Sequence, residues 1–133
     1  MLVHADGFTL VDYETATFGD PAMDLGLFLC HLLLKAVKNH DLRPKYFALT
    51  RAFWLAYAAE VRFRPVAELE ARGIGHCAAC LLARIDGTSP VDYLPEEPRR
   101  EVVRRLGRHL LHAQTPDWED VLRLCDAELA SFD

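Results

Sequence analysis

Residues 10–26 read LVDYETATFGDPAMDLG, and this stretch marks a change from extended chain to helix. Its first residues are β-prone. Asp20-Pro21 then fits a helix start, because an aspartate accepts hydrogen bonds from the exposed N–H groups of the first turn and proline has no N–H to satisfy. Apolar residues continue to about Val37, so the sequence predicts a mostly buried first helix.

The segment before this helix favours a small β-hairpin. In LVHADGFTLVDY, residues 2–13, the dipeptide Asp6-Gly7 lies between two β-prone runs. Asp-Gly readily adopts the positive φ angles of a tight hairpin turn. We therefore expect residues 1–13 to form a hairpin.

Four further helices are predicted after the first. The second begins at Pro44, and its apolar stripe is expected to pack on the first helix. The members of that stripe are Phe47, Leu49, Phe53, Ala56, Tyr57 and Phe63. The remaining helices are expected at about Val66–Ile85, loosened by Gly73 and Gly75, at about Glu96–His112, and from Thr115-Pro116 onwards. The predicted fold is mainly α: an N-terminal hairpin and about five helices in a single domain, residues 1–133.

Composition limits the function classes. With 133 residues, of which 51% are hydrophobic, the chain can bury a substantial core. Its net charge is -5, from 15 basic and 20 acidic residues. This balance argues against nucleic acid or an anionic membrane as partner.

Four cysteines occur without the pattern of a secretory signal peptide. Free thiols in a reducing cytoplasm are the expected state. The longest apolar run, residues 25–34, contains His31 and is shorter than the about 20 residues that a membrane helix needs. We expect a cytoplasmic protein without a membrane span.

Asp12 and Glu14 are candidate metal ligands. If residues 8–14 are extended, side chains two positions apart share a face and project together. Paired carboxylates suit Mg²⁺, which takes one or two of them while phosphate oxygens and waters complete its octahedron. The alternative is that both are solvated loop residues. Asp24, in the first turn of the predicted helix, interacts favourably with the positive helix end but would need partners if buried.

The order of these residues resembles the metal-binding segment of the aminoglycoside phosphotransferase family. The shared features are a strand ending in Val-Asp-x-Glu, then Phe-Gly-Asp-Pro, then Asp-Leu-Gly in a helix. That superfamily includes choline and methylthioribose kinases and has a protein-kinase-like α+β fold. The resemblance implies that Asp12 and Glu14 hold magnesium and that Asp24 braces the catalytic loop. It covers the whole chain as a C-terminal lobe and implies ATP and a small-molecule hydroxyl as substrates of the complete enzyme.

The chain also departs from that family. Members carry a His-Gly-Asp catalytic motif, an asparagine and a nucleotide-binding lobe before the metal aspartate, and none of these is found here. His4-Ala5-Asp6 imitates the motif but lies in the predicted hairpin turn, too close to Asp12. We therefore expect no catalytic residue in this chain and no activity of the chain alone. The surface that the missing lobe would cover is expected to be exposed and to favour self-association. Residues 81–94, LLARIDGTSPVDYL, also look like bacterial members of the family but suggest no chemical role.

Other motifs favour structural roles. His76, Cys77 and Cys80 offer zinc ligands, but a fourth ligand is missing from the pattern and the surrounding residues are typical of a core. Trp54 and Trp118 are expected to anchor the core. The basic stretch of the fourth helix favours a solvated face over a phosphate-binding patch, because nearby glutamates offset it. It comprises Arg99, Arg100, Arg104, Arg105 and Arg108.

Three hypotheses follow from the sequence. The first is a partial small-molecule kinase, with Mg²⁺ and ATP implied for the complete enzyme. The second is a non-catalytic remnant or binding module with the same helical fold. The third is a helical metal-binding or regulatory domain built around His76, Cys77 and Cys80.

Overall fold

The computed structural model describes residues 2–11, 16–87, 89–112 and 117–132. Within these ranges the chain forms one two-stranded hairpin and five α-helices, as predicted. The elements are β1 (Leu2–His4), β2 (Gly7–Thr9), α1 (Pro21–Lys38), α2 (Arg43–Glu60), α3 (Val66–Asp86), α4 (Glu97–His112) and α5 (Trp118–Leu129). Short 3-10 turns follow α1 and α5, at His40–Leu42 and Ala130–Phe132.

The hairpin is antiparallel and shorter than predicted. Leu2 lies opposite Thr9 and Val3 opposite Phe8. Gly7, directly after the turn, has a φ of 140°, which favours glycine over any residue with a side chain. Both strands are exposed along their whole length, and β2 ends at Thr9. Residues 10 and 11 are therefore not part of the paired hairpin, and residues 12–14 lie outside the described residues.

Helix α1 is the centre of the fold. Asp20 caps its first turn by accepting a hydrogen bond from the N–H of Ala22 at 3.1 Å, and Pro21 begins the helix, as the sequence predicts. At the other end of α1, the N–H of Asn39 donates a hydrogen bond to the carbonyl oxygen of Lys35. Buried residues recur along the whole helix: Ala22, Leu25, Gly26, Leu29, Cys30, Leu33, Leu34, Ala36 and Val37.

Helix α2 packs on α1 through a narrower stripe than predicted. Phe47 is buried, and the ring of Phe53 lies 4.4 Å from that of Phe28 on α1. Leu49 and Ala56, two further members of the predicted stripe, are exposed. Phe63 lies beyond the helix end, where Pro65 disfavours helical backbone at the preceding residue, and it is exposed. Placing Phe63 in the α2 stripe was therefore wrong.

Helix α3 runs without interruption through Gly73 and Gly75, so these glycines do not loosen it, and its close contact with α1 depends on a glycine of α1. A Cβ atom at Gly26 of α1 would lie 2.5 Å from the Cβ atom of His76 and 2.6 Å from the backbone nitrogen of Cys77. Gly73 faces Leu25 across the same contact. By contrast, a Cβ atom at Gly75 would meet nothing within 4 Å. The α1–α3 contact therefore requires glycine at position 26.

Helices α4 and α5 complete one core with α1 and α3. Trp118 is almost fully buried, as predicted, whereas Trp54 is only partly buried against the smaller cluster at the start of α1. The α5 cap is Asp117, whose side chain accepts from the N–H of Asp120. The predicted start at Thr115-Pro116 lies outside the described residues. The largest buried side chains of the core include Leu29, Leu33, Leu81, Leu106 and Leu122.

No helix in the described ranges combines the length and the apolar character needed to cross a membrane.

Candidate functional site at the start of the first helix

The candidate acids of the sequence analysis precede α1 in the chain or lie in its first turn. Asp12 and Glu14 lie outside the described residues, so their placement is not part of the structure. Asp24 is exposed in the first turn of α1 and has no hydrogen bond or ion pair with any described residue. Its charge acts on Tyr57, whose pKa is raised first by burial and then by Asp24. The described chain therefore offers no bracing contact to Asp24.

Asp20 is the most highly connected carboxylate at this end of the helix. Its Oδ2 atom accepts hydrogen bonds from Nε and Nη2 of Arg72, at 2.9 and 2.6 Å. Nε2 of His76 lies 3.2 Å from the same oxygen. The hydrogen bond from Arg72 is the main cause that lowers the pKa of Asp20 to about 2. Asp20 therefore stays ionised and ties the start of α1 to α3.

This connection was not predicted. The sequence indicated a cap at Asp20, and Arg72 and His76 are four residues apart, a spacing that places them on one helix face. Nothing in the sequence identifies the carboxylate that they meet. The close approach of α3 at Gly26 brings their side chains to the end of α1.

An open recess lies beside Asp20. It has a volume of about 710 Å³ and is lined by Phe18, Gly19, Pro21, Phe63, Arg64 and Pro65. Phe18 is fully exposed and Phe63 largely so. Arg64 pairs with Glu68 at 3.0 Å. The recess therefore has aromatic walls and lies next to Asp20 in the chain.

The His76, Cys77 and Cys80 group does not converge. His76 faces Asp20, whereas Cys77 is fully buried and forms a hydrogen bond with Cys30. This contact and burial raise the pKa of Cys77 well above its usual range, which keeps the thiol protonated. In the part of the chain that is described, no three His, Cys, Asp or Glu side chains are grouped to hold a metal. The interpretation of these thiols as core residues fits this arrangement, with Cys80 only half-buried.

The arginines of α4 are bound within the fold. Arg99 and Arg100 donate to the carbonyl oxygens of Val37 and Ile85, in the last turns of α1 and α3, where helix carbonyls lack intrahelical partners. The other three pair with carboxylates: Arg104 with Asp86, Glu97 and Glu101, Arg105 with Glu128, and Arg108 with Glu101. Arg99, Arg100 and Arg104 are half-buried, so the predicted solvated face was wrong for them.

Segment 81–94 has a structural role that the sequence did not suggest. The guanidinium of Arg84 donates to both the carbonyl and the hydroxyl oxygen of Ser89, each at 3.1 Å. The N–H of Val91 donates to the carbonyl oxygen of Arg84 at 2.8 Å. These bonds fold the segment back onto the end of α3 and bury Leu94 in the core.

His4-Ala5-Asp6 lies at the hairpin turn. Nε2 of His4 is 3.1 Å from Oγ1 of Thr9 on the paired strand, so its ring serves the hairpin. This position fits the rejection of the tripeptide as a catalytic motif.

Comparison of the chain with protein-family models, with curated proteins and with solved structures finds no match.

Proposed function

We propose that this chain is the C-terminal helical part of an ATP-dependent phosphotransferase that acts on a hydroxyl group of a small molecule. The observation that carries the proposal is the ordered series Asp12, Glu14, Asp20 and Asp24 leading into α1, with Asp20 held by Arg72. Asp20 follows Asp12 and Glu14 and precedes Asp24 in the sequence, and its bonds to Arg72 fix the point at which this segment enters α1.

The donor chemistry suits magnesium. Asp12 and Glu14 supply hard carboxylate oxygens, which Mg²⁺ prefers. Asp20 is a poor ligand, because Arg72 and His76 occupy its Oδ2 atom and the Ala22 N–H occupies Oδ1. The metal, when bound together with ATP, would offset negative charge on the transferred phosphoryl group. The role of this chain's own residues is then to bind and orient the cation.

The chain alone is expected to be inactive. Phosphoryl transfer depends on a phosphate cradle and a residue that orients the attacking hydroxyl, because positioning and charge stabilisation supply nearly all of the catalysis. The 133 residues contain the metal acids but no His-Gly-Asp motif. This departure favours a second candidate function, a non-catalytic binding module with the same fold.

The exposed hairpin supports association with another polypeptide surface. Its apolar side chains lie in the open, together with those of the segment that follows: Leu2, Val3, Phe8, Leu10, Val11 and Phe18. Monomers rarely leave large contiguous apolar patches exposed. We expect self-association of the isolated chain, which replacement of Phe8 by serine should weaken in sedimentation equilibrium.

Calorimetric titration with MgCl₂ tests the metal role. The wild-type chain should bind one Mg²⁺ per chain, and Asp12→Asn and Glu14→Gln should each abolish measurable binding. Glu60→Gln is the matched control, because Glu60 is exposed and unpaired among the described residues and its replacement removes the same charge. Equal binding by the wild type and the Asp12→Asn variant would contradict the proposal.

An ATP turnover assay, taken together with the Mg²⁺ titration, separates the two candidate functions. The purified chain should show no turnover above background with aminoglycosides, choline or methylthioribose. Turnover that disappears in Asp12→Ala would mean that the chain, alone or as an oligomer, supplies the missing catalytic groups. Absence of both turnover and Mg²⁺ binding would favour the non-catalytic module.

A further inference from the structure

A second recess lies at the opposite end of α1 from Asp20. The 18 residues of α1 span about 27 Å at 1.5 Å per residue, so the two sites are well separated. This recess has a volume of about 210 Å³ and is lined by Lys35, Lys38, Asn39, Tyr46 and Tyr93. We call it the lysine–tyrosine recess. Neither the sequence motifs nor the proposed function assigns it a role.

Its two ammonium groups are not neutralised by the fold. Neither Lys35 nor Lys38 has a carboxylate within 4.0 Å among the residues that the structure describes. The ammonium of Lys38 lies 5.2 Å from the ring centroid of Tyr93, within the range of a cation–π contact. This contact holds one positive charge at the recess wall.

The two tyrosine hydroxyls near the recess differ in their access to a ligand. The Tyr93 hydroxyl is buried and has no hydrogen-bond partner within the described chain. A buried polar group in this state costs about 1–3 kcal/mol. The Tyr46 oxygen accepts a bond from Nδ2 of Asn39 at 3.1 Å, which leaves its own O–H available to donate. An acceptor in the recess could reach the Tyr46 hydroxyl, whereas the Tyr93 hydroxyl is closed to solvent and Tyr93 contributes its ring to the recess wall.

The surroundings do not cancel this positive charge. The carbonyl end of a helix carries a partial negative charge. Here Asn39 donates a hydrogen bond to the carbonyl oxygen of Lys35, and Arg99 donates one to that of Val37. Two further charged groups act on Tyr93, the exposed Asp92 and Arg84, and their opposite signs offset each other. The two lysines therefore give the recess a net positive charge.

We propose that the lysine–tyrosine recess binds a small phosphate-bearing anion, either inorganic phosphate or a small phosphate monoester. Two lysines match the double negative charge of such a group, and lysine binds phosphate as a point charge. The hydroxyl of Tyr46 would donate to one of its oxygens. The recess is smaller than the about 300–1,000 Å³ of pockets for drug-sized ligands, which favours a compact ligand.

NMR titration with inorganic phosphate at constant ionic strength tests the site. The wild-type chain should show saturable amide shift changes clustered in residues 35–39, 46 and 91–94. Tyr46→Phe should weaken binding about tenfold, because it removes one hydrogen-bond donor to a charged group and leaves the ring in place. Lys35→Gln and Lys38→Gln should each weaken binding by a similar factor.

Lys45→Gln is the control, because Lys45 is the chain's remaining lysine and lies outside the recess lining. It should change the affinity less than twofold. Thermal melting of each variant checks that the fold is kept. Shift changes that do not saturate, or a loss in Lys45→Gln equal to that in Lys35→Gln, would overturn the proposal.

A second titration with glycerol phosphate identifies the form of the ligand. Tighter binding than inorganic phosphate would support a phosphorylated small molecule, and equal binding would support recognition of the phosphate group alone. Saturable binding of neither probe would overturn the site. The Mg²⁺ titration concerns the other end of α1, so failure of one proposal leaves the other intact.

Discussion

The two ends of α1 carry opposite charges and use them differently. At the N-terminal end, the carboxylate of Asp20 is committed to Arg72, His76 and the helix cap. At the C-terminal end, Lys35 and Lys38 have no carboxylate partner in the described chain. Both arrangements suit the helix dipole. The difference indicates that charge at the first end joins helices together, whereas charge at the second end remains available to a ligand.

The close contact between α1 and α3 at Gly26 should be the most sensitive to mutation. Gly26→Ala would place a Cβ atom 2.6 Å from the backbone of Cys77, so α1 and α3 must move apart. We expect a loss of about 2 kcal/mol or more in the free energy of unfolding, measured by urea denaturation. Gly75→Ala is the matched control and should be neutral or stabilise by up to about 1 kcal/mol, because its Cβ atom meets open space. Equal losses in both variants would contradict the close contact.

Replacing Asp20, whose carboxylate is bonded to Arg72 and His76, should have the next largest effect. Asp20→Ala deletes the α1 cap and the partner of Arg72, with an expected loss of about 1–2 kcal/mol in the free energy of unfolding. Asp24→Ala, in the same first turn but without a partner in the described chain, should cost less than about 0.5 kcal/mol. The same urea denaturation measures both. A loss for Asp24→Ala as large as for Asp20→Ala would show that the partners of Asp20 contribute little.

The contribution of Asp20 should depend on pH. The pKa of Asp20 is lowered from its usual 3.8 to about 2, so folding favours the ionised form. The stabilisation is complete above the usual pKa and is lost as the pH falls towards 2. The stability difference between the wild type and Asp20→Asn should therefore be constant from pH 5 to 7 and shrink between pH 4 and 2. A difference that does not change across this range would contradict the pKa of Asp20.

The smallest expected effect is at the other end of the helix. Tyr93→Phe removes a buried hydroxyl without a partner in the described chain, so in phosphate-free buffer the free energy of unfolding should stay the same or rise by less than about 1 kcal/mol. Tyr46→Phe removes a hydrogen bond with Asn39 and should cost about 0.5–1.5 kcal/mol. A clear loss in Tyr93→Phe would show that its hydroxyl is already satisfied.

Local signals were sufficient to predict most of the fold. Each signal that predicted an element correctly lies in a short stretch of the chain. Asp6-Gly7 predicted the hairpin, Asp20-Pro21 predicted the start of α1, and the apolar run after residue 21 predicted that this helix is buried. The end of α2 was misjudged because Phe63 lies near helical spacing, whereas Pro65 limits the backbone before it.

The site depends on contacts that the sequence does not encode locally. Asp20 meets Arg72 and His76 across 52 and 56 residues, and these pairs form only because Gly26 lets α3 approach. The lysine–tyrosine recess likewise combines α1, α2 and the segment after α3. Its lysines were visible in the sequence, but the tyrosines that complete it come from distant positions.

Line broadening by Mn²⁺, which replaces Mg²⁺ at carboxylate sites and is paramagnetic, tests the central claim most directly. The account predicts that substoichiometric Mn²⁺ broadens amide signals of residues 10–24 first and leaves the lysine–tyrosine recess unaffected. Excess Mg²⁺ should restore the signals, and Asp12→Asn should prevent the broadening. Broadening centred elsewhere, or unchanged in Asp12→Asn, would contradict the assignment of a metal site to this end of the molecule.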